Sequence, residues 1–265
     1  MLSYPSSISV SNRALTMLAE ALRRERRARG TRWRRLDAGQ QALLVLAYLR
    51  KGETYADLAG GFAIGVTTVF RYVREALDVL AAMATPLNTA IEIARRKAFV
   101  ILDGTLLRID RVGMTGGRDR PFYSGKQKRH GVNVQVLADP AGQLIWTSPA
   151  LPGARHDMGA AREHGLLDAL EHAGVRVIAD SAYRGAGTNV EVPHRRPRRD
   201  PDTGERRRRL SANEKAVNTA HARLRGPGER ANAQLKSWKV LRKVRSSPRR
   251  ATRLVDAIRT VIQAS

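Results

Sequence analysis

The sequence predicts an α/β chain in two parts: an all-helical N-terminal region, then a mixed sheet flanked by helices. Two observations predict this. Apolar residues recur at helical spacing from Ser11 to Leu80, punctuated by capping residues. After residue 98 the pattern changes to short, partly β-branched runs, each ended by a turn former and alternating with helical stretches. The central run is AFVILDGT, residues 98–105, in which Phe99 to Leu102 lead into Asp103 and Gly104. It reads as a buried strand that delivers one carboxylate where it leaves the core. VRVIAD, residues 175–180, repeats this grammar and ends on Asp180. Two such strands can bring two carboxylates to one sheet edge.

The 265 residues carry 48 Lys and Arg against 24 Asp and Glu, a formal charge of +24. That excess implies a polyanionic partner, nucleic acid first and an anionic membrane surface second. The longest apolar run, Ala42 to Leu49, is far too short to span a bilayer. No signal-peptide core opens the sequence, so a cytoplasmic, nucleoid-associated location is expected. Absence of cysteine excludes disulfides and thiolate metal sites and fits a reducing compartment. Aromatic residues make up only 5%, which argues against a broad base-stacking platform.

In chain order, residues 1–10 read as a loose terminus. Ser11 to Arg29 is helical, with Leu15, Leu18 and Leu22 on one side and Arg23, Arg24, Arg26, Arg27 and Arg29 beyond. Those arginines, with Trp33 close behind, read either as phosphate contacts or as a solvated face. Asp37 and Gln40 form a capping box for a helix that stops at Gly52. Thr54 caps a short second helix, and a third starts near Val66 after the turn Phe62 to Gly65. Val66, Val69, Phe70, Val73, Leu77 and Leu80 form its expected apolar stripe. Two helices joined by a short Gly-containing turn make a helix-turn-helix, whose last helix enters the DNA major groove. Thr67, Thr68, Arg71 and Arg74 lie off the stripe and are the expected DNA contacts. Pro86 marks the domain boundary, giving 1–86 and 87–265.

Leu87 to Lys97 is a connecting helix. Thr105 to Val112 continues the first strand, and a basic loop spans GMTGGRDRPFYSGKQKRHG. Gly131 to Ala138 alternates, turns at Asp139-Pro140-Ala141-Gly142, and returns through Gln143 to Ala150 as a hairpin. Residues 156–173 are helical, with Asp157 as the expected cap. Val175 to Ala179 is the next strand, and Thr188 to Val192 a last short one. The insert 194–210 (HRRPRRDPDTGERRRRL) is basic and low in complexity, and is expected to face DNA. Ser211 to Arg225 is helical, broken at Gly226-Pro227-Gly228, and a new helix carries Glu229. Residues 248–262 form a final helix. A long hairpin, then a crossover helix to a strand beside the first, is the order of an RNase H-like domain.

Five stretches now stand in order: VILDGT, FYSGKQKRHGVNVQ (122–135), LPGARHD (151–157), ADSAYRG and GPGERANAQLKSW. With the helix-turn-helix in front, the chain resembles the DDE transposases of bacterial insertion sequences and the related Harbinger-like nucleases over nearly its full length. The resemblance implies an RNase H-like domain in which Asp103, Asp180 and Glu229 bind Mg²⁺ or Mn²⁺. It further implies an Arg four before the Glu and a Lys seven after it, here Arg225 and Lys236. The Tyr that some members place before the Arg is replaced by Ala222.

The chemistry suits those residue types. Phosphodiester hydrolysis and transesterification are in-line displacements, which two cations about 3.5–4 Å apart can assist at the attacking and leaving oxygens. Hard cations take oxygen ligands, which Asp and Glu supply. Lys236, about two helical turns beyond Glu229, falls near the same face and could hold a phosphate. Lys126, Lys128 and His130 of the basic loop are further candidates for DNA contact. Asp110 and Asp157 are rival carboxylates. The expected function is therefore metal-dependent cleavage and strand transfer at terminal inverted repeats, by a dimer or higher assembly on double-stranded DNA. The alternatives are a catalytically silent, transposase-derived DNA-binding protein and a helix-turn-helix repressor, though the latter leaves the strand-rich half unexplained.

Overall fold

The computed structural model describes residues 8–31, 33–109, 119–196, 203, 209–242, 244 and 247–265. Asp110, the loop after it and most of the 194–210 insert lie outside the described residues. Five helices come first: α1 (Asn12–Ala28), α2 (Ala38–Lys51), α3 (Tyr55–Gly61), α4 (Val66–Ala82) and α5 (Leu87–Arg95). Their starts follow local chemistry. Asp37 and Gln40 close the expected capping box on α2, and Gly52 ends that helix in the left-handed conformation at φ 68°. Thr54 caps α3, with its hydroxyl accepting the Asp57 N–H. The turn from α3 to α4 is the expected helix-turn-helix joint.

The sheet is built from β1 (Val100–Arg108), β2 (Tyr123–Ser124), β3 (Arg129–Ala138), β4 (Leu144–Thr147), β5 (Leu151–Pro152), β6 (Val177–Ala179) and β7 (Val190–Glu191). Its path runs β2-β3-β1-β6-β7, with β4 and β5 also pairing β3. β1 is antiparallel to β3 but parallel to β6, as an RNase H-like mixed sheet requires. The crossover between β5 and β6 is α6 (Asp157–Glu163) and α7 (Leu166–His172). α8 (Ala212–Lys236) and α9 (Pro248–Gln263) complete the chain.

The two sheet faces are filled differently. On one, Ile101, Leu107, Val132, Val134 and Val136 merge with α8, α9 and the N-terminal helices into one apolar core. α9 joins the two halves: its Thr260 hydroxyl donates to Leu80 O of α4, and its Gln263 amide donates to Leu144 and Ile145 carbonyls of β4. On the other face, Leu102, Leu137 and Val177 pack under α5 and α7. Among the described residues no single helix is long and apolar enough to cross a bilayer. α4 and α5 pass that test only when joined across a 48° bend.

Three expectations from sequence are corrected here. Val66 and Phe70 are not core residues: they are 50% and 38% exposed, and the buried stripe of α4 is Val69, Tyr72, Val73, Ala76 and Leu80. Arg26 turns inward to donate to Leu36 O and Gln41 Oε1, unlike the exposed Arg23, Arg24, Arg27 and Arg29. The third concerns Gly226-Pro227-Gly228, which does not break the helix. α8 runs continuously with Pro227 inside it. A Cβ at residue 228 would lie 2.5 Å from Ile101 Cγ2, so glycine lets α8 press directly onto β1.

Candidate active site

Parallel pairing of β1 with β6 ends at Leu102 opposite Ala179. The next residue of each strand is an aspartate, so the register brings Asp103 and Asp180 to the same level, where β6 leaves the sheet. Asp180 caps a 3-10 turn, Ser181–Tyr183, its Oδ1 accepting the Ala182 N–H at 2.8 Å. Asp103 is not at a strand end, as the sequence suggested. β1 continues to Arg108 along its antiparallel partner β3, and only the pairing with β6 stops.

A third aspartate arrives from the opposite face. Side chains alternate along β1, so Asp103 shares the α8 side with Ile101 while Gly104 faces α6. Asp157 lies over Gly104, and a Cβ at residue 104 would overlap its Oδ1. The expectation that Asp157 caps α6 is also corrected. His156 is the cap, its Nδ1 accepting the Gly159 N–H at 3.0 Å. Asp157 is thereby released for another role. Its Oδ1 accepts from Asn133 Nδ2 at 2.8 Å, Asn133 Oδ1 accepts from Gln135 Nε2 at 2.8 Å, and Gln135 Oε1 accepts from the Tyr183 hydroxyl at 2.5 Å. Those three supporting side chains are buried. Lys126 Nζ stands 3.3 Å from Asp157 Oδ2 and 3.9 Å from Asp180 Oδ2.

The electrostatics follow from crowding three acids at a partly desolvated edge. Burial, then repulsion by Asp180 and Asp157, pushes the Asp103 carboxyl up to about 6, with Arg225 opposing the rise. Burial works against the Lys126 ammonium, but Asp157, Asp180 and Asp103 outweigh it and raise its pKa. Burial and the same three carboxylates hold the Tyr183 phenol well above its usual range, so it stays a proton donor to Gln135.

α8 closes the site from the other side. Its inward residues are Gly228, Ala231, Asn232 and Leu235. Asn232 Nδ2 donates to Asp103 Oδ2 at 2.7 Å, while its buried Oδ1 has no hydrogen-bond partner. Glu229 is 68% exposed and pairs with Arg225 at 3.2 Å. Asp103 feels the Arg225 charge, so Arg225 borders the site, whereas Lys236 is exposed in the last turn of α8. Among the described residues, no group of three or more acidic or histidine side chains is drawn close enough to hold a metal ion. The donor chemistry nevertheless suits a hard cation. The carboxylates and the unpartnered Asn232 Oδ1 are all oxygen donors, and Lys126 is paired with two of the carboxylates.

Asp157 and Asp180 open onto a cleft of about 1140 Å³, rimmed by Lys126, Arg155, His156, His194, Arg195 and Arg196. The start of the basic insert is clamped to α8, since the His194 N–H donates to Asn218 Oδ1 and Asn218 Nδ2 donates to His194 O. Lys128 is exposed, and His130 pairs with Asp119 at 3.3 Å while its ring packs against Tyr123. On α4, Thr67, Arg71 and Arg74 are exposed and Thr68 is half-buried, with Val66 and Phe70 beside them. Sequence reasoning undervalued Asp157 and missed Asn232 and the Tyr183–Gln135–Asn133 chain. The signal was available, because all of them belong to the stretches FYSGKQKRHGVNVQ, LPGARHD, ADSAYRG and GPGERANAQLKSW.

Residues 102–262 match the family model described as DDE superfamily endonuclease, which takes in the whole cluster from Asp103 to α9. The chain belongs to the DDE superfamily endonucleases. Residues 34–86 match the helix-turn-helix of DDE superfamily endonuclease, which spans α2 to α4. The chain is 30% identical over 249 residues to a protein of Streptomyces albus G named "Putative transposase for insertion sequence element IS112", covering 89% of this chain and 84% of that one. No solved structure matches significantly. The family is that of insertion-sequence transposases, and the helix-turn-helix implies DNA as the partner of this DDE endonuclease.

Proposed function

We propose that this chain cuts DNA at the terminal inverted repeats of an insertion sequence and transfers the freed strand to target DNA. One observation supports the reading: the β1–β6 register sets Asp103 level with Asp180, and Asp180 lines a cleft rimmed by cationic side chains. Bound Mg²⁺ or Mn²⁺, two ions in this reading, would activate the attacking oxygen and stabilise the leaving one. Asp103 and Asp180 would hold them, and Glu229 would join by exchanging its Arg225 partner for a cation. No protein nucleophile is used: water opens the phosphodiester, and the resulting 3′-hydroxyl attacks the target strand. Thr67, Thr68, Arg71 and Arg74 would read the repeat in the major groove. Lys126, Lys128, His130, Arg225 and Lys236 would hold backbone phosphates, each a contact that carries no sequence information. Paired ends call for a dimer or larger assembly on DNA in the cytoplasm. The two units proposed are 1–86 for recognition and 87–265 for chemistry.

The test is a duplex carrying one element end, incubated with purified protein and Mg²⁺. Nicked or cut product is expected from the wild type, and Asp180→Asn should bind the duplex equally well without cutting it. Binding without cleavage by the wild type would leave only a DNA-binding protein and overturn the enzymatic reading.

A further inference from the structure

We propose that Val66 and Phe70, on the exposed face of α4, contact the 5-methyl groups of thymines in the element end. Part of the sequence preference then comes from apolar contact rather than from hydrogen bonds. This rests on the reading of α4 as the major-groove helix and names the base group that two of its side chains select.

The exposed residues in the first half of α4 are Val66, Thr67, Phe70, Arg71 and Arg74. Positions 66, 70 and 74 are spaced by four, and 67 and 71 form the adjoining row, so the five make one continuous surface. An isolated exposed apolar side chain needs no explanation. Here two of them stand among a threonine and two arginines, on the helix that follows the helix-turn-helix joint. The Phe70 ring is braced. It meets Tyr55 of α3 edge-on, with 6.0 Å between centroids, and Tyr55 packs in turn on Tyr48 of α2 at 5.4 Å. The two preceding helices thus hold the ring on this surface.

The surrounding charge selects DNA as the partner. Arg71 and Arg74 flank the apolar pair, while both acids of α4 are engaged elsewhere. Glu75 is buried against Arg34, and Asp78 pairs with Arg253 of α9. Phosphates suit the arginines, and the one methyl group that a base edge shows in the major groove is that of thymine. Hydrogen-bonding side chains gain nothing from that methyl, whereas an apolar side chain removes it from water. Four residues of helix separate Val66 from Phe70 by about 6 Å along the axis. That distance spans about two base pairs at about 3.4 Å each. The pair can therefore serve thymines within one short segment of groove.

The experiment compares an end duplex with the same duplex in which deoxyuridine replaces thymine. This removes the methyl groups and keeps every hydrogen-bonding group. Binding of the full-length protein is followed by fluorescence anisotropy in EDTA at fixed salt, so turnover does not enter. Wild type should bind the deoxyuridine duplex more weakly, by about fourfold for each methyl contacted, the worth of one buried CH₂. Phe70→Ala and Val66→Ala should each weaken binding to the thymine duplex and bring the ratio between the two duplexes closer to one. Phe70→Leu, which stays apolar, should keep most of that ratio, whereas a merely structural role would leave the ratio unmoved in all three. Circular dichroism checks the fold of each variant, and if Phe70→Ala does not fold, Val66→Ala decides. Equal binding of both duplexes by wild type, with a scrambled duplex still rejected, would overturn the methyl contact and leave α4 as the recognition helix. A ratio unchanged in the folded variants would overturn the assignment to Val66 and Phe70. A loss shared equally by both duplexes, with a changed oligomeric state in ultracentrifugation, would make the patch an interface between copies instead. No preference of wild type for the end over the scrambled duplex would defeat the recognition reading as well.

Discussion

Replacing Asp103 with Asn should make the metal-free protein more stable at neutral and alkaline pH, and the gain should vanish in acid. The carboxyl is raised from 3.8 to about 6 by burial and by its acidic neighbours. Between those values the folded state keeps a proton that the unfolded chain has released, so stability falls as pH rises through that window. Above about pH 6 the whole cost of the buried charge is expressed. That rise corresponds to about 3 kcal/mol as an upper bound. Partial solvent contact lowers the expected figure to about 1–2 kcal/mol. Asn is the right probe because its side-chain oxygen can still accept from Asn232 Nδ2. The assay is urea unfolding in EDTA, wild type against Asp103→Asn, at about pH 8 and about pH 4. The variant should be more stable at the higher pH and equal at the lower. Equal stability at both, or an offset that persists in acid, would refute the electrostatic reasoning.

Further outcomes follow from other parts of the fold. Gly228→Ala sets a methyl 2.5 Å from Ile101 Cγ2 and should cost about 1–3 kcal/mol by overpacking, read by thermal melting. Because α8 must then lift from β1, the same variant should lose cleavage more than DNA binding. Glu75→Ala removes the buried carboxylate that pairs with Arg34 and accepts from Gln41, and should cost about 3–5 kcal/mol in a denaturant titration. Binding to an end duplex should weaken steeply with added salt, and Arg71→Ala on the exposed face of α4 should relax sequence preference in a selection from random duplexes. A flat salt response would remove the argument from charge.

The sequence made the architecture readable because most element boundaries are decided locally. Asp37 with Gln40, Thr54, Pro86 and the Asp139–Gly142 turn set their elements by capping or turn geometry, and the structure places the boundaries within a few residues. The DDE family was legible for the same reason, since Asp103 and Asp180 each follow a recognisable apolar run. What failed depended on packing between distant segments. Gly226-Pro227-Gly228 looks like a break until Ile101 is seen to need the bare face of Gly228. Val66 and Phe70 match the helical period of α4, yet the neighbouring helices cover only a narrower stripe. His156 and Asp157 are adjacent, and sequence does not say which caps the helix. Asn133 and Gln135 read as the polar half of an alternating strand, but α6 and Tyr183 bury them. Glu229 and Asn232 lie three apart on α8, and only the rotation of that helix against the sheet decides that Asn232 meets Asp103.

The central claim is that acids from separate chain segments gather around one cation site at the edge of β1 and β6. Fe²⁺ can be loaded in place of Mg²⁺, and ascorbate with peroxide then cuts the backbone wherever the metal resides. Cuts should cluster near residues 103 and 180, and excess Mg²⁺ should suppress them. Cuts confined to other segments, or none that Mg²⁺ suppresses, would contradict the account.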